Sequence, residues 1–219
     1  MNTAFANHAL VALLGVSLLG LTACGRKPAL VQNTAPQNAL GEIVGEEAAR
    51  LAGPGAKVLV LAPTASDPAG MSIEPVLKSF AAALAKHGNV TIAATERVKA
   101  RMSDPSPTRE ELTAAQLDKL VRGAAGASAV VSFVGFPVLA AAEIAELKKR
   151  NLKFVAIYTA GPQAGPHYKK LLEARVLDVA ILPRLELPPA AAQIPTKPRD
   201  FFDRNYQLAT PETAAQLTP

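Results

Sequence analysis

The feature that most constrains this chain of 219 residues is a set of five short apolar runs rich in β-branched residues. They occupy residues 57–62, 90–94, 128–134, 153–158 and 178–182, so their starts are 25 to 38 residues apart. Apolar runs without polar alternation are typical of strands that are buried on both faces of a parallel sheet. Each interval is long enough for the crossover helix that parallel strands require.

The intervals between the runs carry helical patterns. Apolar residues recur at helical spacing, and Thr108 and Glu111 have the spacing of a capping box at the start of a further helix. We predict the other helices over residues 41–52, 72–86, 139–150 and 166–176. Five strand–helix units predict a three-layer α/β/α sandwich around a five-stranded, parallel, doubly wound sheet of order 2-1-3-4-5.

The N-terminus has the pattern of an export signal. Residues 1–23 contain no Lys, Arg, Asp or Glu, and their apolar stretch is too short to span a bilayer as a helix. The following Leu21-Thr22-Ala23-Cys24 resembles the lipobox of bacterial lipoproteins, in which the cysteine becomes the lipidated first residue. The resemblance implies an exported protein that is anchored to the cell envelope through Cys24 and faces the periplasm. Gly25 after the cysteine implies the outer rather than the inner membrane.

Composition divides the rest of the chain into three parts. We expect a flexible tether after the lipidated cysteine over residues 24–40, an α/β domain over residues 41–187, and a proline-rich tail over residues 188–219. Seven of the last 37 residues are proline, so residues 183–202 predict neither a helix nor a central strand. Residues 206–210 predict an edge strand, and the tail aromatic residues are expected to pack on the domain.

A ligand site in an open parallel sheet is expected beyond the carboxyl ends of the strands. The loops after the first, third and fourth runs lie there. A second interpretation stays open for each loop: Ser72 can cap its helix and Asp67-Pro68 can form a turn, Phe136 can be a packing residue, and the loop after the fourth run can be a tight strand-to-helix connection. The ligand-binding candidates are Thr64, Ser66, Asp67, Ser72, Gly135, Phe136, Gly161, Gln163 and His167.

A basic cluster accompanies these loops. Arg97, Lys99 and Arg101 lie in a predicted loop over residues 95–108, where they either attract acidic ligands or form a solvated surface. With 23 basic and 18 acidic residues dispersed along the chain and no Trp, we predict no nucleic-acid partner.

Catalytic and cofactor-binding motifs are missing from the sequence. It has no phosphate-binding loop, no G-x-G-x-x-G and no G-x-S-x-G. Its single cysteine and the isolated His87 and His167 predict no metal site, and His87 is expected to cap a helix end. We therefore predict a non-enzymatic protein without a cofactor.

The order of elements resembles one lobe of type I periplasmic binding proteins over about residues 56–187. The resemblance rests on AKVLVLAP, AALAKHGNV, EELTAAQLDKLVRGAAGASAVVSFVG, KKRNLKFVAIYT and LLEARVLDVAILPRLE. In that family two such lobes close around a solute. Together with the lipobox, the resemblance implies a lipid-anchored, extracytoplasmic, single-lobe protein that binds either a small polar solute or a partner protein. The alternatives are a scaffold lipoprotein that acts through its tail and an enzyme of flavodoxin-like architecture that uses Ser66 or Asp67.

Overall fold

A six-stranded sheet organises the protein in the computed structural model, which describes residues 33–64, 72–99, 112–124, 126–158, 164–184 and 195–217. Within these ranges, no helix combines the length and the apolar composition needed to cross a membrane. The elements are α1 (Ala35–Ala52), β1 (Lys57–Pro63), α2 (Glu74–Lys86), β2 (Thr91–Val98), α3 (Ala114–Gly123), β3 (Ala129–Ser132), α4 (Ala141–Lys149), β4 (Lys153–Ile157), α5 (Ala164–Glu173), β5 (Val179–Pro183), α6 (Pro198–Asn205), β6 (Tyr206–Ala209) and a 3₁₀ turn (Ala214–Gln216).

The strand order confirms the predicted fold class. The strands lie in the order β2-β1-β3-β4-β5-β6, and the first five are parallel. The predicted edge strand joins the sheet as β6, which runs antiparallel to β5 with Tyr206 opposite Pro183. The sheet therefore has six strands rather than the five expected for the doubly wound sheet.

Helices cover both faces of the sheet, as the sandwich prediction requires. Along β1, Val58 and Val60 point into a core that they share with α1, α2 and α6, whereas Leu59 and Leu61 point into the core beneath α3, α4 and α5. Phe80 of α2 contacts Phe133 edge-to-face in the first core, with ring centroids 5.4 Å apart. These two buried layers explain why the strands read as continuous apolar runs.

Two glycines bring α1 and α2 into close contact. Gly41 faces Val76 and Ser79, and Gly45 faces Phe80 and Ala83, so the two helices run in the same direction. The helix expected from Gly41 begins six residues earlier, so residues 35–40 are helical rather than part of the tether. Pro36 does not prevent this, because an N–H in the first turn has no intrahelical partner.

The second predicted strand differs most from its expected environment. β2 extends to Val98, well past residue 94, and most of its residues are exposed rather than buried on both faces. The cause is its position at the margin of the sheet, where it pairs with β1. Its register shifts at Ala93, because Val58 pairs with Ile92 whereas the next residue of β1 pairs with Ala94.

The proline-rich segment contains a helix that the sequence analysis excluded. Pro198 stands at the start of α6, where its fixed φ and missing N–H are compatible with a helix. As expected for the tail aromatic residues, Phe202 is buried in the first core, and its ring lies 5.5 Å from that of Tyr206. The residues after β6 continue to the other face, where Ala214 is buried in the second core.

Candidate functional site

The carboxyl ends of β1, β3, β4 and β5 lie on one edge of the sheet, called the carboxyl edge below. The opposite edge, where these strands begin, is called the amino edge. At the carboxyl edge the N–H of Thr64 donates to the carbonyl of Val98 at 3.0 Å, which ties the ends of β1 and β2 together. Ligands of open α/β sheets bind at this edge, so it is the candidate site.

The loop after β1 supplies two described candidates. Thr64 is half-buried, directly after the strand, and Ser72 is exposed, just before α2. The Ser72 Oγ accepts a hydrogen bond from the Glu74 N–H at 3.2 Å, so it binds the first N–H of α2, while the N-cap position itself is Ile73. Ser66 and Asp67 lie outside the described residues.

Arg97 connects β2 to this loop. The sequence analysis placed it in a loop, but residues 95–98 continue β2 because they pair with β1. Its guanidinium donates to the Pro63 carbonyl at 3.1 Å and to the Glu74 carboxylate at 2.8 Å. The side chain thus bridges the end of β1 and the start of α2, while Lys99 beyond it is exposed. Arg101 lies outside the described residues.

The turn after β3 is held by a buried hydroxyl. Ser132 is fully buried, and its Oγ donates to the Gly135 carbonyl. Gly135 has a φ of 82°, a left-handed conformation that favours glycine. Phe136 is 8% exposed and contacts the Phe154 ring edge-to-face, with centroids 5.5 Å apart. Its ring therefore packs into the core beneath α4 and α5.

His167 on α5 comes next to this turn. Its Nε2 lies 3.3 Å from the Phe136 carbonyl oxygen, and its ring contacts the ring of Tyr168 edge-to-face. The structure thus places His167, on the helix after β4 rather than in a loop, next to the loop after β3. Gly161 and Gln163 of the loop after β4 lie outside the described residues, as does Cys24.

Sequence reasoning missed two residues at this edge. Arg184 follows β5, and its Nε donates to the backbone carbonyls of Asp203 at 2.7 Å and Tyr206 at 3.1 Å, which fastens the end of α6 to the sheet. Tyr206 begins β6 beside Pro183, and burial raises the pKa of its phenol. The sequence feature that could have identified Arg184 as a residue of this edge is its position just after the apolar run of residues 178–182.

His87 does not cap a helix end with its side chain. It lies at the amino edge, and its Nε2 is 3.1 Å from the Glu46 carboxylate of α1. The parallel packing of α1 and α2 explains the difference, because it places a carboxylate next to the ring. In the part of the chain that the structure describes, no group of three or more His, Cys, Asp or Glu side chains is arranged to hold a metal ion.

A separate groove of about 260 Å³ lies between α3 and α4 on the outer helical layer. Alanines of both helices form much of its lining, together with Leu139 and Leu147. Of the three acidic side chains in its lining, Asp118 pairs with Arg122 at 2.7 Å and with Arg150 at 2.6 Å. This carboxylate is therefore already neutralised.

Solved structures share this architecture. The arabinose-binding protein AraP from Geobacillus stearothermophilus has a TM-score of 0.53 and 12% identity, over 84% of this chain and 63% of that one. An ABC transporter solute-binding protein from Agrobacterium vitis, bound with α-D-tagatopyranose, has a TM-score of 0.51 and 15% identity, over 83% of this chain and 60% of that one. The described domain has the α/β fold of one type I periplasmic-binding-protein lobe.

The likeness is one of fold. The chain spans about three fifths of the length of these two proteins. No protein-family model matches the sequence, and no curated protein matches it either. The resemblance to one lobe of periplasmic binding proteins is therefore confirmed in three dimensions, and a shared fold does not by itself assign an activity.

Proposed function

We propose that this protein is a non-enzymatic binding protein of the bacterial envelope that takes a small polar solute at its carboxyl edge. The observation that carries the proposal is the fold shared with AraP and with the tagatopyranose-bound protein. Such a solute needs polar partners, which the candidate residues supply. The described candidates are the hydroxyl of Thr64 and the imidazole of His167. The sequence-based candidates add the hydroxyl of Ser66, the carboxylate of Asp67 and the amide of Gln163.

Export and lipid anchoring at Cys24 are part of the proposal. The leader over residues 1–23 and the lipobox Leu21-Thr22-Ala23-Cys24 support it. In this proposal residues 24–40 contain the tether, and the α/β domain follows. Cys24→Ser tests it: the wild-type chain should float with membranes and carry the mass of the lipid, while the variant should do neither. Separation of the two membranes by density then tests the outer-membrane assignment.

Thermal unfolding of the lipid-free chain, residues 25–219, tests solute binding. Sugars, amino acids, nucleosides and anions are the ligand classes to compare. A solute at about 100 times its Kd stabilises the folded state by about 2.7 kcal/mol, which raises the Tm of a domain of this size by about 5–10 °C. Cooperative unfolding without a shift from any class would reject solute binding.

Matched variants locate the site. Asp67→Ala, in the segment between β1 and α2, should lose the shift that the solute produces. Glu173→Ala, an exposed residue at the end of α5 near the amino edge, should keep it. An equal loss in both variants would place the solute elsewhere. Turnover of the solute that disappears with Ser66→Ala would instead favour the enzyme alternative.

A protein partner is the second candidate, and one exposed side chain favours it. Val138 is 76% exposed in the loop after β3, between the buried Pro137 and Leu139. The scaffold alternative places the contact in the tail instead. Because α6 and β6 occupy residues 198–209, a tail deletion that leaves the fold intact must spare them.

A further inference from the structure

Arg97 places a guanidinium at the carboxyl edge, next to the end of β1. It lies opposite Ala62, which belongs to the core that β1 shares with α1 and α2, so its side chain points to the side of α2. Its Nη1 donates to the Pro63 carbonyl at 3.1 Å, and its Nη2 donates to the Glu74 carboxylate at 2.8 Å. The guanidinium is thus held in place although the side chain is 37% exposed.

The two contacts of this guanidinium differ in how easily they are exchanged. The Pro63 carbonyl belongs to a strand, so the sheet fixes its position. Glu74 is 59% exposed, and an exposed ion pair contributes little because water and salt screen it. A guanidinium has five N–H donors in a planar fork that matches the two oxygens of a carboxylate. A carboxylate from solution can therefore take the position of the Glu74 carboxylate.

The charges around Arg97 favour an anion at this position. Lys99, the residue after β2, is exposed and adds a second positive charge at this edge. Glu96 points to the other side of the sheet, since it lies opposite Leu61, which belongs to the core beneath α3, α4 and α5. Glu74 lies in the first turn of α2, where the helix dipole is positive. A carboxylate that replaces that of Glu74 therefore enters a positive environment.

We propose that the solute is a small carboxylate, whose anionic group replaces that of Glu74 on Arg97. The inference rests on the proposed solute binding at the carboxyl edge. Glu74 then acts as an internal competitor, which occupies the guanidinium in the unbound protein and is released when the solute binds. A neutral solute competes poorly with Glu74, because hydrogen bonds between two ionised groups are stronger than those to a hydroxyl. The site thereby discriminates by charge.

Matched pairs of compounds test the class of solute. Thermal unfolding of the full-length protein in non-ionic detergent compares D-glucuronate with D-glucose, D-galacturonate with D-galactose, and succinate with succinamide. In at least one pair we expect the acid to raise the Tm and its neutral analogue to leave it unchanged. Equal rises within the pairs, or a rise with neutral compounds alone or with inorganic phosphate or sulfate alone, would overturn the inference.

Two substitutions should change the affinity for that acid in opposite directions. Arg97→Met removes a charge-assisted hydrogen bond and should raise the Kd measured by titration calorimetry by about 10–100-fold. Glu74→Gln removes the competing charge and should lower the Kd by about two- to five-fold, as expected for an exposed ion pair. If the pair only holds the ends of β1 and α2 together, both variants weaken binding, and the proposal is wrong.

The exposed ion pair between Arg50 and Glu47 on α1 provides matched controls. Arg50→Met and Glu47→Gln make the same chemical changes away from the carboxyl edge and should leave the Kd unchanged. The Tm of each variant without solute reports whether it folds. If Arg97→Met does not fold, Glu74→Gln decides alone, because an unchanged or raised Kd in that variant contradicts a competing role for Glu74.

The two proposals fail in distinguishable ways. If no compound of any class raises the Tm of the wild-type protein, solute binding itself is rejected. If a neutral solute raises it, and Arg97→Met responds to that solute as the wild type does, solute binding stands and the carboxylate inference is wrong.

Discussion

The contact between α1 and α2 depends on the absence of a side chain at Gly45. A Cβ built at this position would lie 2.6 Å from the Cβ of Ala83 and 2.7 Å from the carbonyl oxygen of Phe80. Carbon atoms in contact are normally 3.5–4.0 Å apart, roughly 1 Å more than this. Neither neighbour is the end of a flexible side chain. In Gly45→Ala the two helices must therefore move apart.

Two opposing effects set the size of the change. Overpacking of a buried contact costs about 1–3 kcal/mol, and the rigid neighbours place Gly45→Ala in the upper part of that range. Alanine in a helix interior recovers about 1 kcal/mol relative to glycine. We expect the free energy of unfolding to fall by about 1–2 kcal/mol, which lowers the Tm by about 2–8 °C in a domain of this size.

Gly123→Ala provides the matched control. Gly123 is the last residue of α3, and a Cβ there would meet no atom within 4 Å. The same chemical change should leave stability unchanged or raise it by up to about 1 kcal/mol. Chemical denaturation of the lipid-free protein, followed by far-UV circular dichroism, measures both variants. If Gly45→Ala is as stable as Gly123→Ala, the close approach of α1 to α2 is refuted.

Three further predictions concern packing, titration and hydrogen bonding. Phe202→Ala should lower the free energy of unfolding by about 3–5 kcal/mol, because Phe202 is 1% exposed. Phe201→Ala should lower it less, because Phe201 is half-buried. Equal losses in chemical denaturation would contradict this prediction. Burial raises the pKa of Tyr206 above its usual 10.0, so stability is retained below pH 10 and falls as the pH rises through the folded pKa. Tyr206→Phe should flatten that loss in denaturation curves measured between neutral and alkaline pH. Asp178→Ala removes the carboxylate that accepts the Phe154 N–H at 2.9 Å, which should lower the free energy of unfolding by about 1–3 kcal/mol. Asp178→Asn keeps an acceptor oxygen and should lower it less. Identical losses in chemical denaturation would exclude a stabilising role for this hydrogen bond.

The fold was predictable because its strongest signals are local. The runs that became β1, β3, β4 and β5 are mostly apolar because both of their faces are covered, and the helices between them have one apolar side. The segments that departed from prediction are those in which the position in the fold outweighs the local signal. β2 is exposed because it lies at the margin of the sheet, and α6 forms despite its prolines because Pro198 falls on a first turn.

The sheet edge at which the candidate loops lie was predictable, whereas the contacts of their side chains were less so. The rule that ligands bind beyond parallel strands selected the edge where Thr64, Gly135 and His167 lie. The sequence could not assign the partners of each side chain, because these are distant along the chain. His167 meets a carbonyl 31 residues away, Arg97 meets one 34 residues away, and His87 meets a carboxylate of the preceding helix.

The register shift at Ala93 has a consequence for crowding. An exposed strand at the margin of a sheet, such as β2, invites pairing with the same strand of another copy when molecules collide. The extra residue, Ala93, interrupts the alternation of side chains between the two faces of the sheet. A second copy of β2 paired antiparallel in one continuous register could therefore match the side-chain alternation of only one half of the strand. A register centred in the second half also sets Glu96 against Glu96. The irregular edge thereby keeps the sheet from growing into a neighbour.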